Sequence, residues 1–209
     1  ALEKHGFVDD TVVIFSSDNG PEVPTVINMR KTHKHDGSRP WRGVKRDNWE
    51  GGHRVPMLVR WPGKVKEGSV SEQTVCLTDL MATCAEIVGA ELPDDAAEDS
   101  FDLLPVFLGK ADKPVRNFTL HQTISLALAI RQGDWKYLDH KGSGGSNYSR
   151  DGEWGLKQYA LPEKAPDAPG QLYNLKDDPG ETNNLYFKEP AIRKVLKAKL
   201  DELKKSGRS

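Results

Sequence analysis

Cysteine is nearly missing from this chain, with only Cys76 and Cys84. Both fall on one expected helix, and a spacing of eight residues puts their Cα atoms about 12 Å apart along the axis. Disulfides reach to roughly 7 Å between Cα atoms, so the two are read as separate buried core thiols and leave the redox compartment open. Long hydrophobic runs are missing too. No apolar stretch approaches the roughly 18–20 residues that cross a bilayer, so no membrane span is expected. An export signal is absent from the opening Ala1-Leu2-Glu3-Lys4-His5-Gly6, which reads like the end of a helix followed by a loop. Any such signal is expected upstream.

Net charge is also almost nil, at −1, yet its distribution is uneven. Between Arg30 and Arg54, eight Lys and Arg residues face only Asp36, Asp47 and Glu50, a local excess of five positive charges. His33, His35 and His53 add titratable groups. Such a stretch is a solvated loop or a site for an anionic ligand. It has no helical periodicity and no recognised nucleic-acid motif, so a nucleic-acid partner is not expected.

What is present suffices for a folded core: 209 residues, 36% hydrophobic, form one domain or a domain with a smaller lobe. The run Thr11-Val12-Val13-Ile14-Phe15 reads as a buried parallel strand, and Ser16-Ser17-Asp18-Asn19-Gly20-Pro21 as the turn leaving it. Open α/β sheets bind ligands beyond the carboxyl ends of their strands. Asp18 and Asn19 place two hard oxygen donors there, suited to a divalent cation such as Ca²⁺ or Mg²⁺. Asp-Asn-Gly is equally a common turn sequence, so the triplet alone leaves both readings open. Residues 21–50 read as a long polar connection, of a length that is functional or disordered in compact domains.

Val55 to Trp61 reads as a second strand. Leu77, Leu80, Met81, Cys84, Ile87 and Val88 form a helical stripe that stops at Gly89, read as core packing. Beyond Gly109 the texture changes. Leu126–Arg131 and Trp135–Leu138 flank Gln132-Gly133-Asp134 as a hairpin, and Gln171–Leu175 is a further strand. Pro190 opens a final helix with the stripe Ile192, Val195, Leu196, Leu200 and Leu203. The expected fold class is α/β: a partial mixed or parallel sheet with flanking helices over 1–108, and a smaller α+β lobe of antiparallel strands and one helix over 109–209.

Four segments in order resemble the carboxyl-terminal portion of the formylglycine-dependent sulfatases of the alkaline phosphatase superfamily. They are Ser17-Asp18-Asn19-Gly20-Pro21; Arg42-Gly43-Val44-Lys45 leading to Trp49-Glu50-Gly51-Gly52-His53-Arg54-Val55-Pro56; Arg60-Trp61-Pro62-Gly63; and Leu172-Tyr173-Asn174-Leu175 leading to Asp178–Leu185. The resemblance runs nearly end to end and takes in Ile130–Lys136. It implies that Asp18 and Asn19 are half of the ligand set for a divalent cation, usually calcium. It implies that Lys45 contacts the sulfate group near the leaving oxygen, where a fixed ammonium stabilises developing charge. His121 resembles a substrate-facing position, and Arg39 is a candidate for anionic substituents of the substrate, although an arginine there also suits an ion pair. His53 reads as structural.

Neither cysteine fits the Cys/Ser-x-Pro/Ala-x-Arg segment that becomes the family's formylglycine nucleophile, and the first aspartate pair of the metal site is also missing. The chain is therefore expected to be a sulfatase fragment, inactive alone, whose partners are a sulfated small molecule or glycan and the amino-terminal half of the domain. Rival readings are a phosphonate monoester or phosphodiester hydrolase of the same superfamily, or a non-catalytic binding domain on the same scaffold. The resemblance also implies a periplasmic or secreted location.

Overall fold

The computed structural model describes residues 1–207, which divide into two compact units. The first comprises Ala1–Ser17 and Pro56–Thr119. It opens with α1 (Leu2–His5), ended by Gly6 in a left-handed conformation. β1 (Val13–Ser16) then pairs antiparallel with β2 (Met57–Arg60), with Phe15 opposite Leu58. These two residues are 62% and 58% exposed, so the apolar run forms a strand whose outer face is uncovered. The expected buried parallel strand is thus, among the described residues, one half of a two-stranded antiparallel ribbon. A short apolar run encodes extension and burial but carries no strand direction.

α3 (Leu80–Val88) follows a 3₁₀ turn over Leu77–Asp79 and ends at Gly89, and α4 (Leu104–Phe107) comes after it. The stripe expected to be core is largely open: Met81 is 56% and Val88 74% exposed. Cys84 is exposed and Cys76 half-buried at the cap of the 3₁₀ turn, so they are not buried core thiols. What organises this unit is polar. Asp79, fully buried, accepts from the Cys76 and Phe101 N–H groups and from the Arg116 guanidinium.

The second unit comprises Asp18–Val55 and Leu120–Gly207. The stretch 21–50, expected as an irregular connection, contains α2 (Val23–His33). Glu22 caps it, Pro24 suits its first turn, and only Val26 and Ile27 are buried. With so few apolar positions the helix has no stripe to read, and its stability comes from packing on Val44 and Leu156.

β3 (Thr119–Gln122), β4 (Leu128–Gln132), β5 (Trp135–Leu138) and β6 (Gln171–Asn174) form a sheet in that order, with β4–β5 and β5–β6 antiparallel. Alternation along the strands gives the sheet two covered faces. α5 (Pro190–Ser206) packs against β4 and β5 and buries Leu196, Leu200 and Leu203. The opposite face carries Ala129, Arg131, Lys136, Leu138, Gln171 and Tyr173. Trp49 closes it, packed with Ala129, Leu138 and Tyr173 and donating from Nε1 to Gln171 Oε1 at 3.1 Å. The segment 41–55 therefore lies as a layer on this sheet. The chain is α/β in class, as expected, with two antiparallel sheets and helices.

Candidate functional site

The site is built where the turn after β1 meets the segment Arg42–Arg54. Gly20 N–H donates to Gly52 O at 2.9 Å, and a Cβ on Gly20 would lie 1.9 Å from Gly51 O. Only glycine permits that approach. One residue on, Lys45 N–H donates to Pro21 O at 3.0 Å. Glu22 then takes Arg46 in a two-point ion pair at 2.6 and 2.9 Å, and Lys45 Nζ stands 3.7 Å from Oε2, one of the two oxygens that Arg46 binds. The Arg46 bonds outweigh partial burial and hold the Glu22 carboxyl down at about 2. These ties bring the Asp18-Asn19 turn and Lys45, 26 residues after Asn19, onto one patch.

Asp18 is exposed and Asn19 half-buried on that turn. A carboxylate and an amide oxygen fit a hard cation, but calcium takes six to eight oxygens, so the turn fits as part of a donor set. Among the described residues no group of three or more His, Cys, Asp or Glu is placed to complete it. Lys45 keeps 37% of its side chain exposed, available to an anion arriving from solvent.

The same segment carries Glu50 into a buried ionic cluster to which sequence reading gave no role. Glu50, 1% exposed, binds Lys136 Nζ at 2.9 Å through Oε1, and Arg131 at 3.1 Å and Arg54 at 3.3 Å through Oε2. Lys136 is fully buried and also faces Glu181 Oε1 at 3.4 Å. Glu181 Oε2 accepts the Glu50 N–H at 2.7 Å. Burial raises the Glu50 carboxyl, but the Lys136 and Arg131 charges prevail, with the Lys136 hydrogen bond adding, and hold it well below the usual range. Glu181 goes the other way: burial pushes it up to about 7, Lys136 opposing and Glu50 adding. The signals were in the sequence as charges out of place, Lys136 within an aromatic strand and Glu50 beside two glycines.

His53 ends the 3₁₀ turn Glu50–Gly52, with Nε2 2.9 Å from Lys136 Nζ. Its ring stacks on His121 with centroids 3.7 Å apart. Burial, with His121 and Lys136 adding, drives the His53 imidazole well below its ordinary value, so it stands neutral at pH 7. His121 lies within β3 and reaches this cluster through His53. Arg39 is 82% exposed and pairs with Asp36 at 3.3 Å. Arg42 is committed inward, stacked over Trp49 at 3.5 Å and donating to Glu181 O at 2.9 Å.

A serine form of the nucleophile pattern does occur, as Ser38-Arg39-Pro40-Trp41-Arg42, which weighing only the cysteines overlooks. Ser38 is 3% exposed, and both its hydroxyl and its N–H donate to Asp36 Oδ1, at 3.0 and 3.1 Å. That hydroxyl closes a local turn, a structural use.

The structural neighbours of this chain are sulfatases with an alkaline-phosphatase-like α/β fold. The family described as Sulfatase matches residues 1–90. An N-acetylgalactosamine-6-O-sulfatase of Bacteroides thetaiotaomicron is 32% identical over 97% of this chain and 38% of its own length. Human arylsulfatase A is 34% identical over 88% of this chain and 35% of its own. A structure from work on glycosaminoglycan metabolism by Bacteroides thetaiotaomicron superposes with a TM-score of 0.80 at 29% identity, covering 98% of this chain and 41% of that one. The chain is similar to sulfatases along nearly its whole length and matches the carboxyl-terminal portion of these relatives, spanning 38% and 35% of the two sequences named.

Proposed function

We propose that this chain supplies the carboxyl-terminal half of the site of a sulfuric ester hydrolase acting on a sulfated carbohydrate or other small organic sulfate. The observation that carries it is the triple tie of Gly20 to Gly52, Pro21 to Lys45 and Glu22 to Arg46. Lys45 Nζ donates to the bridging ester oxygen as the sulfur–oxygen bond lengthens, stabilising charge on the leaving group. Asp18 and Asn19 would hold part of the coordination of a divalent cation, calcium by family resemblance, and the bound cation would supply neutralisation of sulfate charge. The resemblance puts the formylglycine nucleophile and the remaining ligands outside this chain, so the chain alone does not turn over. His121 and Arg39 contact the remainder of the substrate, Arg39 by exchanging Asp36 for an anionic substituent. A periplasmic or secreted location belongs to the same reading.

Hydrolysis of matched sulfate monoesters and phosphate diesters by the complete protein tests the proposal. A higher kcat/KM on the sulfate is expected, and a higher one on the diester contradicts it.

A further inference from the structure

Lys45 sits in a turn outside any helix or strand, so contacts from elsewhere must fix its position. Pro21 O holds its N–H from one side. The loop Ser143–Tyr148 holds the other side. Ser143 O accepts the Asn48 N–H at 2.8 Å, and Ser146 Oγ donates to Lys45 O at 3.2 Å. Asp47, 3% exposed, is the hub: Oδ1 accepts the Ser146 N–H at 3.0 Å, while Oδ2 accepts the Tyr148 hydroxyl at 2.6 Å and the Val44 N–H at 2.9 Å. Burial, with the Asp47 charge and hydrogen bond adding, raises the Tyr148 hydroxyl far above its ordinary value, so it remains a donor at any working pH.

The closest approach comes at Gly145, where a Cβ would lie 1.9 Å from Arg46 O. Arg46 itself holds φ at +80°, a conformation non-glycine residues keep only when their surroundings impose it. The residue after Lys45 is therefore pinned by Glu22 through its side chain and by Gly145 against its carbonyl.

We infer that Asp47 and the Ser143–Tyr148 loop are positioning elements for Lys45. They fix where its ammonium meets the bridging oxygen of the ester and touch no substrate themselves. A cation displaced by an ångström loses most of a directed electrostatic contribution, so rigidity outside the contact shell controls the rate. The inference rests on the catalytic reading of Lys45, and the experiment separates the two.

Tyr148→Phe, which deletes one hydroxyl, and Gly145→Ala are made in the complete protein and assayed on two aryl sulfates. One releases a strongly acidic phenol, the other a weakly acidic one. Misplacing Lys45 should lower kcat/KM for the weakly acidic phenol about tenfold more than for the other, because only that leaving group depends on a donor. Both losses should nearly vanish in a Lys45→Ala background. A loss equal for both esters, or one unchanged in the Lys45→Ala background, overturns positioning and leaves a plain folding role. Tyr148→Phe decides the matter if Gly145→Ala does not fold. If Lys45→Ala itself shows no leaving-group dependence, the catalytic reading fails and this inference with it. If Lys45→Ala shows it and the two loop variants do not, positioning alone fails.

Discussion

Replacing Lys136 with Met tests how the site's foundation is held. Lys136 Nζ lies 2.9 Å from Glu50 Oε1 and 3.4 Å from Glu181 Oε1, with all three side chains at most 1% exposed. Met fills similar volume but removes the charge, leaving Glu50 buried beside Arg131 and Arg54 only. Removing one partner of a buried ion pair costs roughly 3–5 kcal/mol. Arg131, 21% exposed, and Arg54, 41% exposed, still reach the other carboxylate oxygen and place the loss near the lower end. A loss of about 3 kcal/mol lowers Tm by roughly 6–12 °C in a protein of this size.

Urea unfolding at pH 7 followed by circular dichroism measures the loss. A change below about 1 kcal/mol, the worth of a surface pair, would show that Lys136 is not a needed partner for Glu50. The pH dependence provides a second handle. The depressed Glu50 carboxyl contributes stability that is present above its ordinary value of 4.5 and lost as pH falls through the folded value. Without Lys136 that depression shrinks, so acid unfolding should begin at higher pH. Glu181 has the opposite sign, because a carboxyl raised to about 7 destabilises progressively as pH rises from 4.5 to about 7.

Asp18→Ala in the complete protein should raise the calcium concentration needed for half-maximal binding by about tenfold or more, read by calorimetry. An unchanged affinity would remove Asp18 from the ligand set. Peptide mass mapping should find Ser38 unmodified, since its hydroxyl is engaged by Asp36 at 3.0 Å. Loss of two hydrogens from that peptide would instead make it the formylglycine.

Local patterns in the sequence revealed the elements whose cores lie within the chain. The hairpin around Gly133 and the stripe of α5 are visible because sheet and helix bury each other, as Leu196, Leu200 and Leu203 show. The stripe of α3 and the run at β1 were equally visible, yet Met81, Val88 and Phe15 stay exposed. Periodicity reports a face made for burial, not what covers it. α2 was hidden because its cap and its packing on Val44 and Leu156, not an apolar stripe, sustain it. For the proposed site, spacing and resemblance singled out Asp18, Asn19 and Lys45, and the fold brings the turn and the lysine's segment together through Gly20–Gly52 and Pro21–Lys45. The cluster of Glu50, Lys136 and Glu181 joins positions up to 131 residues apart, so its pairing lay beyond any local pattern.

The assignment of the Asp18-Asn19 turn and Lys45 to one half of a sulfate ester site rests most heavily on Lys45. Its most direct test is kcat/KM of the complete protein on a sulfate monoester with a poor leaving group, compared between wild type and Lys45→Ala. Loss of a directed donor predicts a fall of about 10²–10³ with the fold intact. Sulfate hydrolysis undiminished in Lys45→Ala would rule out a catalytic Lys45.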